Sequence, residues 1–293
     1  MRETARSSTF GSLLIIGSAI SFGFLAYFAA DARARGIGTE TLLFLRFALA
    51  SVVLISVTAA RRERWPGPGR LLALVAMGAI GYVGEALCYF KALERIPAGL
   101  VALLLYLYPG LVALLSRAFY GTKIDRTRGL ALALAMCGTL LTIGPVGGGN
   151  AQGILLGLGS AVLYSAYIVA GVRVTRGVPA MVSTTVVCAS AAVSYGLLLL
   201  RTGPTWPRAF TDWVPVLGIS LISTVVAILL LFAGLSRVGP VRTSTLSTLE
   251  ALTTVLVGAL LMGERLAPLQ WFGGGLILAA AVFLTRQGGG ESG

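Results

Sequence analysis

Three ionisable residues stand where an otherwise apolar chain gives them no water: Arg46, Glu85 and Glu250. A charge inside a hydrophobic span is costly, and as a rule it carries function or finds a partner. Arg46 lies seven residues into a run that begins at Thr39, about 10 Å deep at the helical rise. Glu85 lies eight residues before the end of its own run at Leu93, about 12 Å deep by the same rise. Similar depths on consecutive runs predict an Arg46–Glu85 ion pair. Such a pair either fixes helix packing or offers its two ends to a substrate's ammonium and carboxylate. Glu250 falls near the middle of its run, where a carboxyl either packs or exchanges a proton during a transport cycle. Around these charges lie Phe22, Tyr82, Tyr106, Tyr108, Tyr164 and Tyr167, too deep for an interfacial aromatic belt. They either pack a core or wall a neutral, amphipathic cavity. Ser244, Thr245, Ser247 and Thr248 add hydroxyls that either bond between helices or line the same space.

Other chemistry is excluded by what the chain lacks. It has no histidine, hence no imidazole base, His metal ligand or His proton relay. Cys88, Cys137 and Cys188 fall inside apolar runs with no CxxC spacing and read as small buried hydrophobes. There is no G-x-S-x-G, no H-E-x-x-H and no Walker lysine loop. The three aspartates, Asp31, Asp125 and Asp212, sit at loop depth, so no intramembrane aspartate dyad exists. The reading is therefore not an enzyme, with no metal site and no cofactor.

The elements that must hold these residues follow from composition. Of 293 residues, 56% are hydrophobic and only 12% charged, and the mean hydropathy is +0.89. A soluble domain would need a polar coat that this chain cannot supply. A bilayer core of about 30 Å takes about 20 apolar residues as helix. Ten such runs are found: Phe10–Ala30, Thr39–Ala60, Leu71–Leu93, Ala98–Phe119, Gly129–Gly147, Gly153–Val174, Ala180–Leu200, Trp213–Ser236, Val241–Met262 and Ala267–Thr285. Their length and the lack of alternating polarity argue for helices rather than barrel strands. No connection is long enough for a soluble domain. Arg2, Arg6 and the Ala30-Asp-Ala32 step imitate a signal peptide, but the first run is longer than a usual signal core, and the second half repeats it.

A formal charge of +12 would ordinarily suggest nucleic acid or acidic lipid. Here the basic residues are spread through short connections. With the N-terminus inside, 15 fall on inner segments and 6 on outer ones, while Arg46 and Lys91 lie within spans. The positive-inside rule then puts both termini in the cytoplasm and removes any need for a nucleic-acid partner.

The chain also repeats itself. Gly11–Ile20 and Gly153–Val162 agree at six of ten positions. The register that sets Gly11 on Gly153 also aligns Phe90 with Phe232, Arg95 with Arg237, Leu107 with Leu249 and Gly121 with Gly263, without a gap. Five spans per half is an odd number, so the second half would be inverted. That is a common architecture of secondary transporters, with the site at mid-membrane between the halves. Two small-residue stripes, Gly153/Gly157/Ala161/Ser165 and Gly78/Gly81/Gly84, read as close helix contacts. Gly273-Gly-Gly275 reads as another, or as a contact between two copies of the chain.

Several segments carry a resemblance. They are Tyr89-Phe-Lys-Ala-Leu-Glu-Arg-Ile96, Leu103-Leu-Leu-Tyr-Leu-Tyr-Pro109, Leu246-Ser-Thr-Leu-Glu250 and Leu261-Met-Gly-Glu-Arg-Leu266. Over essentially its whole length the chain resembles the EamA-type members of the drug/metabolite transporter superfamily. The resemblance implies an all-α inner-membrane protein of ten transmembrane helices. Two inverted five-helix repeats, 1–147 and 148–293, would surround a central cavity, with helices 5 and 10 peripheral and available for a homodimer. It further implies export of small metabolites, with neutral or aromatic amino acids preferred over drugs and cations. A facilitator or channel is the other alternative. Relatives that export quaternary cations carry a Glu in helix 1, whereas this chain has no acid there before Asp31. Two further departures are Ala251 in place of a second Pro109, and Thr122 where the second half has Glu264. The first puts a second central kink in doubt.

Overall fold

The computed structural model describes residues 2–93, 95–96, 98–143, 150–261 and 267–286. The boundary expected at residues 147 and 148 lies outside them, as does the Gly263-Glu-Arg-Leu266 segment. Every regular element among the described residues is a helix, and there is no strand among them. In chain order the helices are α1 (Arg2–Gly23), α2 (Leu25–Ala34), α3 (Thr39–Ala60), α4 (Pro68–Ala76), α5 (Val83–Leu93), α6 (Ala98–Leu105), α7 (Tyr108–Tyr120) and α8 (Arg126–Ile143). Then come α9 (Ala151–Val174), α10 (Ala180–Thr202), α11 (Trp213–Ser220), α12 (Ala227–Val238), α13 (Pro240–Ser247), α14 (Leu249–Leu261) and α15 (Pro268–Arg286). Among the described residues, seven helical stretches are long and apolar enough to cross a membrane, and Gly129–Thr142 and Pro268–Phe283 are shorter apolar helices.

Local chemistry sets the ends. The Asn150 side chain accepts from the Gly153 N–H at 2.7 Å and so caps α9. Pro68 and Pro240 open α4 and α13, where a missing N–H costs nothing. Gly121, at φ 64°, closes α7 in the left-handed region that a side chain would resist.

Packing crosses the two halves of the chain. α1 packs on α12, α13 and α14, and its counterpart α9 packs on α5, α6 and α7. α3 lies against α10, and α8 against α15. The helix ends recur in the register of the sequence repeat: α6 spans 98–105 and α13 spans 240–247, while α8 begins at 126 and α15 at 268. One apolar core runs through both halves, with Ile15, Phe47, Leu54, Leu74, Ile168, Leu231 and Leu235 buried in it. Large apolar side chains also point outward, among them Leu155, Leu197 and Phe119. That outer surface suits a lipid solvent and would be a liability in water.

The small-residue stripes serve these contacts. A side chain at Gly157 would strike Leu104, and one at Gly153 would strike Ile96. Gly78 meets Ser190 and the Val187 backbone of α10. Gly273 lies against the Gly138 carbonyl and Thr142, and Gly274 against Leu252. Two of the three glycines of α15 are thus used inside one chain. The cysteines depart from expectation: only Cys188 is buried, Cys88 is half-buried and Cys137 is exposed. An exposed thiol on an apolar helix is no conflict where the surroundings are lipid.

Candidate functional site

Four interruptions of regular helix meet near the centre. Between α4 and α5 the chain runs as a π-helix, Met77–Tyr82, and between α11 and α12 as another, Leu221–Val226. Such widened turns are rare and occur often at functional sites. The other two breaks, at Tyr106–Leu107 and at Thr248, fall at equivalent positions of the repeat. The first precedes Pro109, which cannot donate into the preceding turn. The second forms without a proline, so the doubt raised by Ala251 is answered. There the hydroxyls do the work: Ser244 and Thr245 donate to the Val241 carbonyl at 2.9 Å, and Thr248 to the Thr245 carbonyl at 2.7 Å. Back-bonding of this kind bends helices.

Arg46 joins the two π-helices. From α3 its Nε donates to Thr224 Oγ1 at 2.6 Å, and its Nη2 donates to the Ser223 carbonyl at 3.1 Å. The same Nη2 donates to Tyr82 Oη at 3.0 Å. The guanidinium also lies over the Phe47 ring at 4.9 Å. Only 3% of Arg46 is exposed. The expected Arg46–Glu85 ion pair is not made. Ion pairs are seen instead at the surface, where Arg35 meets Asp31 and Asp212. The depths agreed, but depth fixes no rotation about the helix axis. Arg46 turns toward the second half, while Glu85 turns toward α9 and accepts from Ser160 Oγ at 3.0 Å.

That serine contact has a twin. Ser18 is the repeat equivalent of Ser160, and it donates to the carbonyl of Ala227, the repeat equivalent of Glu85. The same pair of positions meets in both halves, and the carboxylate is an addition peculiar to the first.

The expected site residues separate into two groups. Tyr82, Glu85, Tyr106, Tyr164 and Glu250 keep accessible surface, although all lie deep in the protein. Glu250 forms neither a hydrogen bond nor an ion pair among the described residues. Phe22, Tyr108 and Tyr167 are buried behind them. The tyrosines form one run of ring contacts, from Tyr82 to Tyr167 at 5.8 Å, Tyr167 to Tyr164 at 6.3 Å, Tyr164 to Tyr108 at 4.7 Å and Tyr108 to Tyr106 at 6.2 Å. Tyr108 Oη donates to the Ser244 carbonyl at 3.2 Å, tying α7 to α13. Ser244 and Thr248 are buried and donate back along their own helix at the break. Ser247 is also buried, beside the Tyr108 hydroxyl.

Sequence reasoning passed over Phe47, Thr224 and Tyr195, and also Tyr89. Phe47 stacks on Tyr195 at 5.7 Å and meets Tyr82 edge-on at 5.2 Å. Tyr89 keeps accessible surface near Glu85 and Glu250. Its signal was present: Tyr82, Glu85 and Tyr89 stand at i, i+3 and i+7, one helix face. Nothing in the sequence marked Thr224 out from the other hydroxyl residues.

Elsewhere the surface offers less. An apolar groove of about 540 Å3 runs between α1, α14 and α15, lined by Ile16, Ile20, Leu252, Leu256 and Leu278. It holds no charged side chain and borders the outward apolar face, so it suits lipid contact. No three Cys, Asp or Glu side chains among the described residues gather to hold a metal ion. At the chain's α2 end, Asp212 accepts from the Ala209 and Arg208 backbone N–H groups at 2.8 and 3.0 Å, and Arg35 lies 3.8 Å away. Those two backbone bonds, then Arg35, hold its carboxyl below the usual 3.8. Thr205 adds a second tie there, accepting from the Gly38 N–H at 2.6 Å.

A solved crystal structure at 22% identity superposes with a TM-score of 0.80, covering 94% of this chain and 97% of the other. An uncharacterised transporter of Archaeoglobus fulgidus is 26% identical over 96% of this chain and 98% of its own length. The threonine/homoserine exporter RhtA of Escherichia coli K12 is 27% identical over 85% of this chain and 82% of its own. The uncharacterised inner membrane transporter YedA of the same strain is 23% identical over 82% of this chain and 79% of its own. The model of the EamA-like transporter family matches twice, at residues 9–144 and 151–286, and the two matches begin and end at equivalent positions of the internal repeat. With both halves matched from the first apolar helix to the last, the chain belongs to the EamA-like transporter family.

Proposed function

We propose that the protein is an inner-membrane secondary transporter that exports small metabolites, with neutral or aromatic amino acids as substrates. Ten spans, arranged as inverted five-helix halves 1–147 and 148–293, would alternate access to a site between them. Both termini would face the cytoplasm. The observation that carries this reading is the junction of the four helix breaks. Glu85 and Glu250 keep accessible surface there beside Tyr82, Tyr106 and Tyr164, and Glu250 has no bonding partner among the described residues. A small molecule with an ammonium group and an apolar body matches that lining. The similarity to RhtA supports the amino-acid class.

A second reading, export of organic cations, is favoured by the acid excess at the junction: Glu85 and Glu250 against Arg46 alone. A homodimer through α8 and α15 would have to use their outward faces, where Leu130, Leu140 and Leu278 are exposed, because Gly138 and Gly273 are spent on each other.

The deciding experiment is reconstitution into liposomes with a panel of labelled amino acids and cationic drugs, with and without a pH gradient. Saturable exchange of amino acids supports the reading. Movement of drugs without amino acids sinks it, and non-saturable flux would mark a channel.

A further inference from the structure

The amino-acid reading leaves open which end of the substrate meets which side chain, and the bonding of Arg46 bears on that question. A guanidinium carries five N–H donors in a fixed fork. Arg46 directs Nε and Nη2 to Thr224, Ser223 and Tyr82. Its Nη1 bonds to none of the described residues. A side chain only 3% exposed thus keeps one nitrogen with no hydrogen-bond partner among the described residues. All of its acceptors are neutral. A buried cation whose donors are incompletely paired favours an arriving anion.

Tyr82 adds a second donor at the same corner. Its hydroxyl accepts from Arg46 at 3.0 Å, so its own proton is left to point elsewhere. A hydroxyl that accepts from a cation is a stronger donor in turn. Glu85 and Tyr89 follow on the same face of α5, and Glu250, in the first turn of α14, lies within electrostatic reach of Arg46 and Glu85.

We infer that Arg46 Nη1 and Tyr82 Oη form the carboxylate-binding corner of the site, opposite an ammonium-binding pair of Glu85 and Glu250, so that the site selects zwitterions over plain amines. The inference rests on the amino-acid reading above. Thr224 is a positioning residue: its 2.6 Å bond to Nε sets the rotation of the fork and never touches substrate. Arg46, Tyr82 and Thr224 come from α3 and from the two π-helices, so the corner is assembled from both halves of the chain.

The test is binding to the purified full-length protein, read by calorimetry and by thermal shift. The probes share one side chain: phenylalanine, phenethylamine, which lacks the carboxylate, and 3-phenylpropionate, which lacks the ammonium. Threonine is a second zwitterion. The wild type should bind phenylalanine tighter than phenethylamine. Tyr82→Phe should weaken phenylalanine by roughly tenfold or more, the scale of one charge-assisted hydrogen bond, and leave phenethylamine unchanged. Thr224→Val should shift the same ratio in the same direction by less. Glu250→Gln should weaken phenethylamine and spare 3-phenylpropionate. The assignment falls if Tyr82→Phe and Thr224→Val weaken phenethylamine as much as phenylalanine, or if the wild type binds the two equally. If neither zwitterion binds but 3-phenylpropionate does, and does so through Tyr82, the corner stands and the amino-acid reading falls. If no carboxylate binds the wild type, both fall.

Discussion

Replacing Arg46 by methionine separates a structural guanidinium from a functional one. Arg46 makes three hydrogen bonds, at 2.6, 3.0 and 3.1 Å, all to neutral acceptors, and is 3% exposed. Hydrogen bonds to a charged group contribute about 1.5–3 kcal/mol each, so at the lower end the gross loss is about 4–5 kcal/mol. Desolvating the ion costs several kcal/mol, and the substitution returns that. Methionine nearly fills the volume, and its thioether suits the Phe47 and Tyr82 rings. The partners are only partly stranded, because Thr224 Oγ1 still donates to the Ile219 carbonyl at 2.7 Å. Gain and loss should therefore cancel to within about 2 kcal/mol. Arg46→Ala, which opens a cavity, should cost about 2–5 kcal/mol. Thermal unfolding in detergent checks the first half of the argument: Arg46→Met should melt within a few degrees of wild type, with Arg46→Ala clearly lower. Transport in liposomes checks the second half, since Arg46→Met should lose most of its amino-acid exchange. An Arg46→Met protein that unfolds as readily as Arg46→Ala would refute the reasoning and make the guanidinium structural glue.

Three further outcomes are expected. Gly273→Val should destabilise the α8–α15 contact by more than about 2 kcal/mol, because its Cβ would stand 2.6 Å from the Gly138 carbonyl and from the Thr142 N–H. Gly275→Ala, with nothing within 4 Å, is the control and should not lower the melting temperature. The Asp212 carboxyl has a lowered folded-state pKa, so its contribution is present above the ordinary 3.8 and is lost as pH falls through the folded value. Amide exchange in 203–212 should therefore be protected equally between about pH 5 and 8, after correction for intrinsic rates. That protection should drop only in stronger acid, and Asp212→Asn should remove the pH step. For topology, Arg208→Cys in a background lacking the three native cysteines should react with an impermeant maleimide on intact cells. Arg64→Cys should react only after lysis, and the opposite pattern would reverse the orientation.

The carboxylates, tyrosines and Arg46 were legible as residue types at depths because the helical rise converts sequence position into depth. The same arithmetic says nothing about rotation or about neighbours from distant parts of the chain. Arg46 found Thr224, 178 residues away, and its expected partner Glu85 found Ser160, 75 residues away. Ser244 and Thr248 read as hydroxyls that either bond between helices or line a cavity, and their bonds run back along their own helix at the break that Ala251 had put in doubt.

Composition alone determined that this chain is helical and built for lipid, because 56% apolar residues in long runs leave the backbone no other way to satisfy its polar groups. The repeat was equally plain, since one register that holds from Gly11 on Gly153 to Gly121 on Gly263 needs no coordinates to be seen. Only the tertiary structure decided which atoms face each other at the centre. The π-helices at 77–82 and 221–226 widen two turns and bring Tyr82, Thr224 and the Ser223 carbonyl to one guanidinium. That convergence depends on the packing of both halves at once, and no local pattern within either half encodes it.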